Sequence, residues 1–228
     1  MSFLPAYSHY VFDLDGTLVD SICGIDTAAR YALAEISTTV DFPSMRSFIG
    51  PPIRVMLERA LGWTDSTKLD TLEQAFRFHY DGGTWRESPP YENVDVTLRK
   101  LHAHGARLYI LTNKPPVPTM RIIEHLGWIP LFDAIVSPQS CVPPAANKPC
   151  AAIYLRDHFG LKITETLLVG DSSDDLAAAR YTGFAFAAAR WGYGHAAVEA
   201  PISAIATFSD ILDVKNPSRQ LYERPLES

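Results

Sequence analysis

Short apolar runs, separated by polar or glycine-containing turns, divide the chain into alternating strands and helices. The runs predict strands over residues 9–14, 107–112, 134–136, 166–169 and 184–188, which suit strands buried on both faces. Helical periodicity between them predicts helices over residues 95–104, 119–126, 150–159 and 174–181. This alternation predicts an α/β fold: a doubly wound, Rossmann-like core with a parallel sheet.

A different pattern occupies residues 19–88, where no strand pattern appears and helices are predicted over residues 22–36, 53–61 and 67–78. A segment of this length is too long for a plain loop. We expect a helical cap domain, inserted after the first strand, with Pro89-Pro90 marking the return to the core. Two interpretations stay open: the helices close over a site, or they only add stability.

These boundaries assign residues 1–18 and 89–213 to the core and residues 214–228 to a loosely held polar tail. His195, after the last predicted strand, is expected to lie in a loop.

Two carboxylates stand at the end of the first predicted strand, in Asp13-Leu14-Asp15-Gly16. At strand spacing Asp13 and Asp15 point to the same side, and Gly16 lets the backbone turn away. A pair of like charges in a sharp turn favours a hard, oxygen-bound cation, with one carboxylate free to attack and the other to move a proton. Alone, the pair is also compatible with two solvated residues at a strand end.

Other polar groups follow the later strands. Thr112 and Asn113 can donate hydrogen bonds to phosphate oxygens, although both are also common turn residues. Lys114, the next residue, is expected to face solvent. Lys148 precedes a predicted helix, and Pro149 holds its backbone extended; an isolated lysine is nonetheless usually a surface residue.

Gly170-Asp171 ends an apolar strand, and Asp174 and Asp175 follow at a predicted helix start. Helix capping and the helix dipole account for Asp174 and in part for Asp175. They do not account for a Gly-Asp pair at the end of the strand.

Taken in order, these motifs identify the chain as similar to the haloacid dehalogenase (HAD) superfamily, over most of its length. The opening hexapeptide, residues 13–18, matches D-x-D-G-T-[LV] of the phosphatase branch, and residues 170–175 match G-D-[ST]-x-x-D. Lys148-Pro149 matches the core of the lysine motif, although Asn147 replaces the usual glycine before it.

The resemblance implies a role for each motif residue. Asp13 is the nucleophile, Asp15 the general acid and base, and Thr112 a ligand of the transferring phosphoryl group, with Asn113 in the same pocket. Lys148 offsets negative charge. Mg²⁺ is implied as cofactor, held by the carboxylates of Asp13 and Asp171 and by the backbone carbonyl of Asp15. Asp175 is either a ligand or a residue that positions Lys148.

The implied activity is magnesium-dependent hydrolysis of a small phosphate monoester through an aspartyl-phosphate. The segment 49–52, Ile-Gly-Pro-Pro, resembles the phosphoglycolate-phosphatase-like branch, in which it faces the site. Arg54 is then a candidate contact for a substrate carboxylate or second phosphate, or else an ordinary surface residue. Alternatives are a nucleotidase, a pyrophosphatase, a phosphomutase, or a phosphate-binding regulatory protein without activity.

Composition limits the remaining function classes. The net charge of −6 gives no basic surface for nucleic acid or anionic lipid. No run of apolar residues approaches membrane-spanning length, so no membrane partner is expected. Three cysteines without a C-x-x-C pair favour a reducing, cytoplasmic setting. We expect a small phosphorylated metabolite as partner, and a monomer or homodimer.

Overall fold

A parallel sheet forms the centre of the molecule. The computed structural model describes residues 4–36, 42–194 and 203–217. The strand order is β3-β2-β1-β4-β5-β6, and every neighbouring pair is parallel. The strands are β1 (His9–Phe12), β2 (Arg107–Leu111), β3 (Ala134–Val136), β4 (Thr166–Gly170), β5 (Ala185–Ala189) and β6 (Ser203–Ile205). The doubly wound parallel sheet predicted from the sequence is confirmed, with a sixth strand that the sequence pattern did not indicate.

Helices cover both faces of this sheet. In β1, Tyr10 and Phe12 join one apolar cluster and Val11 joins the other, because successive side chains of a strand point to opposite faces. Four helices pack on the sheet: α4 (Val94–Ala103), α5 (Pro116–His125), α6 (Lys148–Phe159) and α7 (Ser173–Thr182). All four overlap the predicted helices, with ends shifted by no more than three residues.

Three helices form the insertion after β1: α1 (Ile22–Glu35), α2 (Ile53–Leu61) and α3 (Ser66–Gly82). They carry apolar faces that continue the larger core cluster, through residues such as Ile25, Leu57 and Phe76. Asp65 caps α3 by accepting hydrogen bonds from the backbone amides of Thr67 and Lys68 at 2.9 and 3.1 Å. We call residues 19–88 the helical insertion; its exact boundaries stay a prediction.

The chain enters and leaves the insertion side by side. The amide of Asp20 donates to the carbonyl of Pro89 at 2.9 Å, and the amide of Tyr91 donates to the carbonyl of Leu18 at 3.1 Å. These two bonds place the start and end of the insertion next to the carboxyl end of β1.

Short 3-10 turns connect several elements, over Met45–Phe48, Thr84–Arg86, Ile129–Leu131, Pro138–Ser140, Ile163–Glu165 and Phe208–Asp213. After the last of them, Val214 is buried, and the side-chain Nδ2 of Asn216 donates to the carbonyls of Ala6 and Thr164. The core therefore continues to Asn216, past the predicted start of the tail at residue 214. The rest of the predicted tail, residues 218–228, and His195 lie outside the described residues.

None of the helices in the described ranges combines the length and apolar character that crossing a bilayer requires.

Candidate active site

The polar groups that follow β1, β2 and β4 meet at the carboxyl edge of the sheet. The amide of Asp13 donates to the carbonyl of Val169 at 2.9 Å, and the amide of Thr112 donates to the carbonyl of Val136 at 3.0 Å. Each residue therefore continues the hydrogen-bond pattern of the strand that precedes it. Parallel strands end at a common edge, which is where open α/β sheets bind ligands. The structure therefore brings Asp13, Thr112 and Asp171 together from distant parts of the sequence.

Three carboxylates form a buried acidic cluster, defined by Asp13, Asp171 and Asp175. One oxygen of each lies within 4.8 Å of the others, and all three side chains are buried. The ammonium group of Lys148, at the first turn of α6, lies 2.5 Å from Asp13 Oδ1 and 2.6 Å from Asp175 Oδ1. One cation thus faces three anions, which leaves the cluster with excess negative charge where water is largely excluded.

Burial and the excess negative charge raise the pKa values of Asp13 and Asp171. Burial raises the pKa of Asp13 well above its usual range, and the carboxylates of Asp175 and Asp171 add to the rise, against the pull of Lys148. Burial and the charge of Asp175 raise the pKa of Asp171 to about 6. Burial alone would lower the pKa of Lys148, but Asp13 and Asp175 more than offset it, so Lys148 stays protonated. A divalent cation would relieve the excess charge, and carboxylate oxygens are its preferred ligands.

The start of α7 fixes Asp175. Asp175 Oδ2 accepts hydrogen bonds from the amide and the hydroxyl of Ser172, at 3.0 and 2.6 Å. The backbone amide of Asp175 donates in return to Ser172 Oγ at 3.4 Å, which completes a capping box at the helix start. The other oxygen of the Asp175 carboxylate faces Lys148. Gly170 is required because a Cβ at that position would overlap the Asp175 side chain. Of the two roles predicted for Asp175, metal ligand or positioning residue for Lys148, the ion pair between Asp175 Oδ1 and Lys148 favours the second.

A loop after β5 surrounds Asp171, and the sequence reasoning did not assign it to the site. Asp171 Oδ2 accepts hydrogen bonds from the amides of Tyr193 and Gly194 at 2.6 and 3.1 Å. A Cβ at Gly192 would overlap the Asp171 side chain, so the loop approaches as closely as its backbone allows. The run Gly192-Tyr193-Gly194, which begins four positions after the end of a predicted strand, was the available signal. The loop orients the carboxylate that points into the cluster.

The prediction that Lys114 faces solvent is wrong. Its side chain is buried, and its ammonium group lies 2.9 Å from Asp15 Oδ1 and 2.8 Å from Asp15 Oδ2. The same group lies 4.9 Å from the ring centroid of Tyr80, in α3. Burial by itself would lower the pKa of Lys114, but the Asp15 carboxylate and the Tyr80 hydroxyl raise it, so the side chain stays a cation. Lysine is buried only when a partner is at hand, and Asp15, 99 residues earlier, is that partner.

The insertion lies over this site. Asn113 Nδ2 donates to the carbonyl of Gly50 in the insertion at 2.8 Å and to Asp174 Oδ2 at 3.0 Å. A pocket of about 650 Å³, part of it open to solvent, lies between insertion and core. Its polar end contains Asp13, Asp15, Thr112, Asn113 and Lys114, and its walls are mainly apolar side chains of the insertion, such as Ile25, Ile53, Met56 and Phe76.

Arg54 is not among the residues that line this pocket. Its guanidinium group forms ion pairs with Asp70 and Glu73 on α3. A substrate contact by Arg54 stays a prediction.

Comparisons with known proteins agree with this geometry. Residues 10–189 match the family model described as haloacid dehalogenase-like hydrolase. The chain is 36% identical to a phosphoglycolate phosphatase of Cereibacter sphaeroides, over 82% of this chain and 87% of that protein. It is 31% identical to a phosphoglycolate phosphatase of Pasteurella multocida, over 81% of this chain and 86% of that protein.

Solved structures show the same architecture. A structure described as a predicted phosphoglycolate phosphatase from Haemophilus somnus superposes with a TM-score of 0.78 and 29% identity, covering 91% of this chain and 97% of that one. With the family model matched from β1 to the end of β5, the chain belongs to the haloacid dehalogenase-like hydrolase family.

Proposed function

We propose that the protein is a magnesium-dependent phosphatase that hydrolyses a small phosphate monoester through a phosphorylated Asp13. One observation carries the proposal: Asp13 and Asp171, 158 positions apart in the sequence, share a buried acidic cluster with a single ammonium group, that of Lys148. This arrangement can hold a cation and a phosphoryl group side by side. The family membership and the relatives' activity support the same conclusion.

The residues fit a divalent metal ion. We propose that Asp13, Asp171 and the backbone carbonyl of Asp15 hold Mg²⁺, with Asp175 acting through Lys148. The metal ion, when bound, neutralises charge on the phosphoryl oxygens. Lys148 adds a positive charge near the same oxygens, and Thr112 donates a hydrogen bond to them. Phosphoryl transfer depends chiefly on such positioning and electrostatics.

In the first step, an Asp13 oxygen forms a bond to phosphorus while the bond from phosphorus to the leaving oxygen breaks. Asp15 enters this step protonated and gives its proton to the leaving oxygen, so that an alcohol departs and Asp15 becomes a carboxylate. Lys148, 2.5 Å from Asp13 Oδ1, keeps the nucleophile oriented until the new bond forms.

In the second step, water attacks the phosphorus of the aspartyl-phosphate. Asp15 accepts a proton from this water, the bond between Asp13 and phosphorus breaks, and inorganic phosphate leaves. Asp13 is again a carboxylate and Asp15 is again protonated, so the cycle closes without a further reactant.

We propose that the helical insertion acts as a cap. The contact between Asn113 and Gly50 holds the insertion over the pocket, and the apolar wall beside Asp13 limits access of bulk water. The Thr112 hydroxyl accepts from the amide of Lys114 and remains able to donate to a phosphoryl oxygen.

Phosphoglycolate is the first substrate to test, because relatives at 36% and 31% identity carry that activity in their names. A nucleoside monophosphate, pyrophosphate and a sugar phosphate, the last also as the substrate of a phosphomutase, follow. We also propose a reducing, cytoplasmic location, supported by the free thiols of Cys23, Cys141 and Cys150. A monomeric or homodimeric state stays a prediction.

The proposal is tested by incubating the protein with Mg²⁺ and this panel of phosphorylated compounds and measuring released phosphate. We expect release from at least one ester, reversible loss of activity with a chelator, and a loss of roughly a thousandfold or more in the Asp13→Asn variant with its fold retained, as judged by circular dichroism. Isomerisation of a sugar phosphate in place of release would indicate the phosphomutase. Binding of an ester without turnover would indicate the regulatory protein and contradict the proposal.

A further inference from the structure

Lys114 and Asp15 form a second buried ion pair beside the one between Lys148 and Asp13. The Lys114 side chain is 6% exposed and the Asp15 side chain 16% exposed, so both charges are largely removed from water. Each lysine forms an ion pair with one of the two aspartates: Lys148 with Asp13, and Lys114 with Asp15. The proposed chemistry uses Lys148 for the phosphoryl group and gives Lys114 no part.

The pair has the geometry of a fixed support. The ammonium group of Lys114 contacts both oxygens of the Asp15 carboxylate, at 2.9 and 2.8 Å, which sets the rotation of the carboxylate as well as its position. When Asp15 carries its proton, one oxygen holds the proton and the other still accepts from Lys114, so the contact supports both forms of the group. The backbone of Lys114 is itself anchored, because its amide donates to Thr112 Oγ1 at 3.1 Å and its carbonyl accepts from Thr119 Oγ1 at 3.4 Å. Tyr80, from the insertion, covers the ammonium group from the other side.

We propose that Lys114 is the positioning residue for proton transfer: it orients the Asp15 carboxyl group toward the leaving oxygen of the substrate. This inference rests on the proposed function, in which Asp15 gives and takes the proton. Tyr80 can contact Lys114 only when α3 packs against the core. The insertion therefore contributes to the alignment of Asp15.

A lysine that aligns the general acid should affect substrates with different leaving groups differently, which a purely structural ion pair would not. An alkyl phosphate needs a proton on its leaving oxygen, because an alkoxide is a poor leaving group. A 4-nitrophenyl phosphate needs little protonation, because nitrophenolate is a stable anion. Loss of Lys114 should therefore slow the first step strongly for the alkyl ester and weakly for the aryl ester, whereas general disorder of the site would slow both alike.

The experiment compares wild type with Lys114→Met, using the best alkyl ester of the wild type and 4-nitrophenyl phosphate, at saturating Mg²⁺. We expect kcat/KM for the alkyl ester to fall by about a hundredfold or more, the scale of a misaligned general acid. The pre-steady-state release of nitrophenolate, which reports the first step alone, should slow by no more than about threefold on the same reasoning. Lys68→Met, an exposed lysine on α3, is the control and should match wild type for both esters.

A double-mutant cycle covers the case in which Lys114→Met, with an unpaired Asp15, fails to fold. The variant carrying both Asp15→Asn and Lys114→Met removes both charges, so no buried charge is left unpaired. If Lys114 acts through Asp15, the double variant should hydrolyse the alkyl ester as slowly as Asp15→Asn alone, within about threefold. Lys114→Arg, which keeps the charge, should recover part of the alkyl activity.

Equal losses for the two esters, no loss for either, or a further large loss in the double variant would each overturn the proposal. An inactive wild type would instead refute the proposed function itself. The two failures are therefore distinguishable.

Discussion

The side chains at this site are controlled by the residues directly behind them. Asp171 shows this most clearly, because two backbone amides of the 192–194 loop bind one of its oxygens and a glycine lies against its side chain. Lys148 and Lys114 likewise fix the carboxylates of Asp13 and Asp15. The reactive carboxyl groups therefore have few orientations open to them before any substrate arrives, which is the preorganisation that electrostatic catalysis requires.

Gly192→Ala tests whether the 192–194 loop holds the Asp171 carboxylate in place. A methyl group there overlaps Asp171, so the carboxylate must move from the cluster or the loop must retreat. We expect the Mg²⁺ concentration for half-maximal activity to rise by roughly 10- to 100-fold, the usual effect of disturbing a residue that orients a metal ligand. Magnesium titration of phosphate release measures it.

Gly82→Ala is the matched control, since a Cβ at that position, at the end of α3, meets nothing within 4 Å. Its magnesium titration should coincide with that of wild type. An unchanged titration for Gly192→Ala would show that the loop does not orient the metal ligand.

Most of the site could be predicted because each motif carries its own local signal at the end of a strand. Asp13, Asp171 and Lys148 each stand at a strand end or helix start that their neighbours in sequence define. Lys114 could not be predicted in the same way, because its burial depends on Asp15, 99 residues away, and on the ring of Tyr80. Local sequence patterns do not contain such a pair.

The elements of the insertion pack through small residues as well as through their apolar faces. Gly24 of α1 faces the 3-10 turn Thr84–Arg86, and a Cβ on Gly24 would overlap the carbonyl oxygen of Thr84. That oxygen belongs to the backbone, so it cannot move aside as a flexible side chain could. The close approach of α1 to this turn helps to hold the insertion's last segment near the point of return to the core.

Gly24→Ala should therefore destabilise the protein, although alanine is the better helix former. The steric cost of a methyl group in a packed interface, roughly 1–3 kcal/mol, exceeds the helix preference of under about 1 kcal/mol. Urea unfolding measures the free energy of unfolding. Gly82→Ala, where space is open, should instead leave stability equal or raise it slightly. Equal stability of the two variants would contradict the packing argument.

The sheet pattern was predictable for β1 to β5 because their residues form apolar runs that stand out from their surroundings. β6 has only three residues, Ser203–Ile205, at the edge of the sheet, and its sequence has no contrasting apolar run. Its pairing comes from β5 beside it. An edge strand of this kind is determined by tertiary context more than by its own residues.

The acidic cluster that the proposed function requires lowers the free energy of unfolding of the whole molecule when no metal is bound. Burial raises the pKa of Asp171 from its ordinary value of 3.8 to about 6, so the ionised form is less favourable in the folded protein than in the unfolded chain. Folding then binds protons between these two values. In the absence of metal, stability is highest below pH 4 with respect to this group, and it is lost as the pH rises toward 6.

Asp171→Asn removes this titration, which allows the contribution of Asp171 to be isolated from that of all other groups. Without Mg²⁺ at pH 7.5, we expect the variant to melt at a higher temperature than wild type, with a smaller difference or none at pH 4.5, because there wild type is largely protonated at this site. With Mg²⁺ at pH 7.5 the order should reverse, since bound metal stabilises only the chain that retains the ligand. A variant that melts below wild type at pH 7.5 without metal would show that the ionised Asp171 is not a cost to the fold, and the cluster would then be sufficiently balanced by Lys148 alone.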